Sequence, residues 1–178
     1  MSLLVAGCTA AAVSVLLTKI LPLRLRPVFD PTLNLGMLQV TPDWARVSSL
    51  PSDHAALFVA MACGLIFVSR KWGWLALVDV VLFVCVPRAY VGLHYFWDLV
   101  AGAAIGVVFA WLCNTEFFRT RVSERLMKLE ASNAAVFYGA MFALTTQIAD
   151  LFHDARQAAG LLIHAVVWAG RSLGIPLD

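Results

Sequence analysis

Long apolar runs follow one another along this chain, and their length constrains the fold more than any other feature. Five of them approach the roughly 20 mostly apolar residues that a helix needs to cross a bilayer. They cover residues 3–21, 54–69, 72–87, 97–114 and 132–152. A shorter run at 157–170 fits either a tilted span or an interfacial helix. The expected fold is all-α, with residues 1–178 forming one integral membrane bundle of five or six transmembrane helices.

Composition supports a membrane protein and argues against nucleic acid as a partner. The chain is 61% hydrophobic and 13% charged, whereas soluble domains have about 45–50% apolar and about 25% charged residues. The net charge is only +2 and no Lys/Arg-rich block occurs. The four cysteines stand far apart in apolar runs without metal-ligand spacing, so we expect free thiols and no metal site.

The segments between the runs differ in character. Residues 22–51 are rich in proline and charge, which predicts a structured loop with a short interfacial helix near Trp44. Residues 119–130 form a charged connector. Gly102 and Gly106 make a GxxxG pair inside one run, which indicates close helix packing.

Three polar motifs stand at boundaries between apolar runs. They are Lys19 with Arg26-Pro27 (motif one), Pro51-Ser52-Asp53-His54 (motif two), and Arg88 with His94 and Asp98 (motif three). In an up-down bundle these three boundaries fall on one membrane face. The opposite face receives Arg70, Lys71 and the basic connector, so the positive-inside rule makes that face cytoplasmic. The motifs are therefore expected to face the periplasm, the cell exterior or a lumen.

The residue types in the motifs suit phosphoryl transfer, in which catalysis is mainly positioning and charge stabilisation. Lys19, Arg26 and Arg88 are candidate phosphate clamps. Ser52 can add a hydroxyl donor, and the backbone amides of Asp53 and His54 begin a helix, where an anion is favoured. Taken singly, Lys19 at a helix end is more often a residue that extends to the interface, but the set as a whole favours a ligand.

The two histidines complete this chemistry. A histidine nucleophile must be neutral, and a carboxylate on its other ring nitrogen fixes the tautomer. His94 and Asp98 are four residues apart, hence on one face if the segment is helical. His54 is placed to protonate the departing oxygen.

The three motifs in this order resemble the type 2 phosphatidic acid phosphatase (PAP2) superfamily, over roughly residues 19–98. The resemblance implies a nucleophile at His94, its partner at Asp98 and a general acid at His54. It also implies phosphate contacts from Lys19, Arg26, Ser52 and Arg88. Two positions depart from the pattern: Asp53 replaces the usual glycine, and Pro87 replaces a serine that supplies a phosphate donor. The Asp53 carboxylate would repel a phosphate unless it turns away or pairs with a cation.

The resemblance predicts a membrane lipid phosphatase that needs no metal or cofactor. The PSDH form of motif two is similar to bacitracin-resistance-type undecaprenyl pyrophosphate phosphatases, which favours a polyprenyl diphosphate substrate in a bacterial inner membrane, in cell-wall metabolism. Alternatives are a phosphatidate or phosphatidylglycerophosphate phosphatase, a lipid phosphotransferase, a haloperoxidase, and a protein that binds lipid headgroups without turnover. One helix precedes motif one, whereas many membrane members have more, so a compact variant and missing upstream helices are both open.

Overall fold

The computed structural model describes residues 2–33 and 47–149. The interfacial helix predicted near Trp44 and the short run at 157–170 lie outside the described residues. Within them the chain is helical and has no strand. The elements are α1 (Ser2–Ile20), a 3₁₀ turn (Pro27–Phe29), α2 (Asp53–Val68), α3 (Arg70–Asp79), a π-helical segment (Val80–Cys85), α4 (Val86–Tyr90), α5 (Phe96–Cys113), α6 (Glu116–Ser132) and α7 (Ala134–Ala149).

Each predicted span that lies in the described residues overlaps an apolar helix. Among the described residues, three helices are long and apolar enough to cross a membrane: Ser2–Ile20, Arg70–Tyr90 and Phe96–Cys113. Two shorter apolar helices, Asp53–Val68 and Ala134–Thr146, match the second and fifth runs. The prediction of an all-α membrane bundle is confirmed.

One predicted boundary differs from the structure, and the charged connector has a structure of its own. The third helix does not stop at Pro87 but continues to Tyr90, with a π-helical segment that ends two residues before the proline. Such a segment re-forms backbone hydrogen bonds that a proline interrupts, which lets a membrane helix accommodate it. The charged connector is itself helical, as α6, because arginine, leucine, lysine and glutamate are strong helix formers.

The chain divides into two compact units, Met1–Arg125 and Leu126–Asp178, and the first holds all three motifs. In this unit α2 is the central helix and contacts α1, α3 and α5. Helix α1 runs antiparallel to α2, because Gly7 lies against Met61 and the Ser14 hydroxyl donates to the Pro51 carbonyl at 3.4 Å. The end of α1 and the start of α2 therefore lie at the same end of the unit.

Helices α2 and α5 run parallel and approach closely through two glycines. A Cβ atom on Gly102 would lie 2.3 Å from the Ser52 carbonyl oxygen, and one on Gly106 would lie 2.6 Å from the Ala56 carbonyl oxygen. Both opposing atoms belong to the backbone and cannot turn aside. The close packing expected of the GxxxG pair is confirmed, and it places the start of α2 beside the start of α5.

Gly102→Ala is expected to destabilise the protein by about 1–3 kcal/mol, the usual range for added volume in a packed interior. The new methyl group forces α2 and α5 apart at Ser52, so the thermal midpoint in detergent should fall. Gly139→Ala in α7 is the matched control, because no described atom outside its chain neighbours and its own helix backbone lies within 4 Å of its Cβ position. Alanine is the better helix former, so this control should keep or raise the midpoint. Equal midpoints for the two variants would contradict the close approach.

Candidate active site

The three motifs meet at one end of the first unit, and hydrogen bonds join them. The Arg26 Nη1 group of motif one donates to the Leu93 carbonyl, beside His94 of motif three, at 3.2 Å. The Ser52 amide of motif two donates to the Asp98 carbonyl of motif three at 3.1 Å. Stretches far apart in the sequence thus form one polar cluster, as the order of the motifs predicted.

His94 is buried in this cluster, with 4% of its surface exposed. Its Nδ1 atom lies 2.9 Å from the Ser49 carbonyl oxygen. A carbonyl oxygen only accepts hydrogen bonds, so Nδ1 carries the proton and Nε2 holds the lone pair of the neutral ring. Burial, followed by the nearby charge of Arg26, lowers the pKa of His94 below its usual value. Burial thus favours a neutral imidazole, and the Ser49 hydrogen bond favours the form whose lone pair is on Nε2.

The contacts of Asp98 differ from the sequence prediction, in which Asp98 was the partner of His94. The side chain is fully buried, but its Oδ1 atom pairs with Arg24 Nη1 at 2.7 Å. Its Oδ2 atom accepts from the Tyr95 amide at 2.9 Å. Asp98 is the third residue of α5, where a carboxylate folds back onto the residue that caps the helix. In the structure, the hydrogen-bond partner of His94 Nδ1 is therefore the Ser49 carbonyl, and the partner of the Asp98 carboxylate is Arg24.

Motif two also arranges its polar groups differently from the prediction. The Asp53 Oδ1 atom accepts from the His54 backbone amide at 2.9 Å and lies 2.8 Å from His54 Nδ1. The Ser52 hydroxyl accepts from the Ala55 amide at 3.4 Å as the helix cap. The amides of His54 and Ala55 are thus used locally, because short polar side chains there satisfy them. The Asp53 carboxylate is turned onto the imidazole of His54, and the Ser52 hydroxyl proton remains as a donor.

The three predicted clamps occupy unequal positions. Arg26 lies within electrostatic range of His94. Arg88 is half-buried in α4 and lies within electrostatic range of Asp53 and Arg26. Lys19 lies in the last turn of α1 and is exposed. No hydrogen bond or ion pair joins Lys19 to another residue of the described segments, whereas the charges of Arg26 and Arg88 act on residues of the other motifs.

Arg24 is the residue of this cluster that sequence reasoning missed. Its guanidinium lies over the Tyr95 ring, 4.4 Å from the ring centroid, in addition to pairing with Asp98. The sequence presents Arg24 as one of several cations in a loop. Its carboxylate partner stands 74 residues away along the chain, so no local spacing signals the pair.

A family model described as the PAP2 superfamily matches residues 1–121, more than half of the chain. The chain belongs to the PAP2 superfamily. The match includes all three motifs and every residue of the cluster described above. It confirms the resemblance that the motifs carry.

Two curated relatives match shorter stretches of this PAP2 chain. The bacitracin transport permease protein BcrC of Bacillus licheniformis is 40% identical over 63 residues, covering 35% of this chain and 30% of that protein. The undecaprenyl-diphosphatase of Sulfolobus acidocaldarius is 41% identical over 59 residues, covering 33% of this chain and 28% of that protein. The aligned stretches thus span less than a third of either relative. No solved structure matches the chain.

Proposed function

We propose that this protein is a membrane lipid phosphatase that works through a phosphohistidine on His94. The observation that carries the proposal is the state of His94, a buried imidazole whose Nδ1 proton is held by the Ser49 carbonyl. This hydrogen bond fixes the tautomer that leaves Nε2 as the nucleophile. Arg26 lies near the same ring and supplies positive charge where a phosphate would bind.

The reaction would proceed in two displacements at phosphorus. The Nε2 lone pair of His94 attacks the terminal phosphorus, and the bond from phosphorus to the leaving oxygen breaks. His54 donates its proton to that oxygen, while Asp53 orients the His54 ring through Nδ1. A water molecule then attacks the phosphohistidine and gives a proton to His54. Breakage of the N–P bond releases inorganic phosphate and returns both histidines to their starting state.

Positive charge near the histidines balances the charge of the transferred group in this scheme. Arg26 and Arg88 would bind the phosphoryl oxygens, because their planar guanidinium groups match the oxygens of a phosphate. The Ser52 hydroxyl would add a neutral donor. Lys19 would join them as a mobile charge at the end of α1, and the scheme requires no metal ion or cofactor.

The favoured substrate is undecaprenyl pyrophosphate, on the strength of the PSDH form of motif two and of the similarity to an undecaprenyl-diphosphatase. Apolar helices would accommodate the lipid tail, with the headgroup in the cationic cluster. The positive-inside rule supports a site on the outer face, because Arg70 and Lys71 lie at the opposite end of α2. The membrane would be a bacterial inner membrane, with phosphate released to the exterior or periplasm.

A substrate panel in detergent tests the proposal. The purified protein is expected to release inorganic phosphate faster from undecaprenyl pyrophosphate than from phosphatidate or phosphatidylglycerophosphate. Vanadate should inhibit, because its five-coordinate form mimics the transition state. Preference for a monoester would reassign the substrate. Transfer of phosphate to an added alcohol at the expense of water would indicate a phosphotransferase. Binding of all three lipids with no phosphate release would refute the proposal that this protein is an enzyme.

A further inference from the structure

The two carboxylate oxygens of Asp98 are occupied by groups other than His94. Arg24 Nη1 binds Oδ1 at 2.7 Å, and the Tyr95 amide binds Oδ2 at 2.9 Å. Asp98 is fully buried, and a buried carboxylate is stable only when it is paired and hydrogen-bonded. Arg24 supplies the positive charge that satisfies this requirement. The Arg24–Asp98 ion pair therefore fixes the position of the negative charge near His94.

The main chain of Arg24 also controls the residue that orients His94. The Ser49 amide donates to the Arg24 carbonyl at 2.9 Å, and the Arg24 amide donates to the Ser48 hydroxyl at 3.3 Å. The Ser49 carbonyl is the acceptor for His94 Nδ1. Arg24 thus reaches His94 by two routes, through the carboxylate of Asp98 and through the backbone of Ser49.

Arg24 is anchored on its outer side as well. Its guanidinium lies over the Tyr95 ring at 4.4 Å from the centroid, within the range of a cation–π contact. The Tyr95 hydroxyl in turn donates to Asp30 Oδ2 at 2.9 Å. The Arg24 side chain is 39% exposed. These contacts hold it in a single position.

We propose that Arg24 is a positioning residue for the reaction at His94. Its guanidinium holds Asp98 away from the imidazole, and its backbone holds the Ser49 carbonyl against Nδ1. The nucleophile is therefore oriented by a neutral carbonyl rather than by a carboxylate. The kinetic part of this inference rests on the proposed phosphatase function, whereas the tautomer and titration of His94 do not.

Loss of Arg24 should change how His94 titrates, and the sign follows from the charges around the ring. Burial and the charge of Arg26 lower the pKa of His94, whereas the Ser49 hydrogen bond and the negative charges of Asp53 and Asp98 raise it. In Arg24→Gln the negative charge of Asp98 is no longer compensated, so the pKa of His94 should rise. The nucleophile must be neutral, and the acid limb of kcat/KM should therefore move to higher pH. Asp98→Asn should move it to lower pH.

The test uses the full chain in detergent, with ¹⁵N-labelled histidine assigned through a His94→Gln spectrum. In the unmodified protein, His94 should show a protonated Nδ1 and a bare Nε2. Arg24→Gln should raise its titration midpoint and lower kcat by about 10- to 100-fold with little change in KM, the scale expected of a misplaced catalytic group. Arg70→Gln, at the exposed start of α3, is the matched control and should leave both unchanged.

Further variants separate positioning from simple loss of folding. Arg24→Lys keeps the charge and should keep the midpoint near that of the unmodified protein, whereas the double variant Arg24→Gln/Asp98→Asn should lower the raised midpoint again. An unmoved midpoint in Arg24→Gln, or a rise confined to KM, would overturn the proposal. If no lipid is hydrolysed by the unmodified protein, the proposed function fails, and the NMR titration still decides the role of Arg24.

Discussion

His94→Gln is expected to abolish phosphate release, with turnover reduced by about 10⁴-fold or more, as when other enzymes lose a catalytic nucleophile. Glutamine can still donate from its side-chain amide to the Ser49 carbonyl, which accepts from His94 at 2.9 Å. It has no basic nitrogen at the place of Nε2, so the attack on phosphorus is lost. Folding should be retained, because the buried donor of the hydrogen bond is replaced by another donor.

The measurement is phosphate release under saturating substrate, combined with labelling from a terminally ³²P-labelled lipid and quenching in alkali, where phosphohistidine is stable. The unmodified protein should yield labelled histidine, and His94→Gln should yield none. Tyr138→Phe is a suitable control, because it removes a hydrogen bond to Glu130 in the second unit. Its rate should remain unchanged. Unimpaired turnover by His94→Gln would rule out this histidine as the nucleophile.

The convergence of the motifs could be predicted from the sequence because apolar runs fix where helices cross the membrane. Motif one follows α1, motif two opens α2, and motif three joins α4 to α5, so alternation of helix direction brings them to one end. The contacts from Arg26 to Leu93 and from Ser52 to Asp98 follow from that topology. The residues that meet at helix ends can thus be predicted when the helix boundaries can be predicted.

The partner of His94 could not be predicted in the same way. The four-residue spacing from His94 to Asp98 places both on one face only within a continuous helix. However, α5 begins at Phe96, so His94 lies in the preceding loop and the spacing does not apply. Asp98 instead pairs with Arg24, which lies in a loop far away in sequence. His94 donates to a backbone carbonyl, and because every residue has one, the residue types do not indicate this contact.

The contacts of the Asp53 carboxylate could not be predicted from the sequence either. A carboxylate in place of the family glycine suggests repulsion of the substrate, since its charge has the same sign as a phosphate. In the structure this carboxylate bonds the backbone amide and the ring of His54. The departure from the family pattern thus adds a partner for the second histidine, and this arrangement leads to a prediction that depends on the leaving group.

His54→Gln is expected to slow hydrolysis of a phosphate monoester by about 10²- to 10⁴-fold, the usual contribution of a general acid. The departing alkoxide of a monoester is strongly basic and needs a proton as its bond to phosphorus breaks. The departing group of a diphosphate is itself a phosphate, which is stable as an anion. Undecaprenyl pyrophosphate should therefore lose less activity than phosphatidate, and the ratio of their kcat/KM values measures the difference.

Asp53→Asn provides the graded comparison for this prediction. Asparagine keeps an oxygen that can accept from His54 Nδ1, as Asp53 does at 2.8 Å, but it removes the negative charge. Its losses should be smaller than those of His54→Gln and should follow the same order of substrates. Equal losses on both substrates would mean that His54 acts in binding rather than in proton transfer. A leaving-group dependence shared by both variants would identify Asp53 and His54 as a single proton-donating pair.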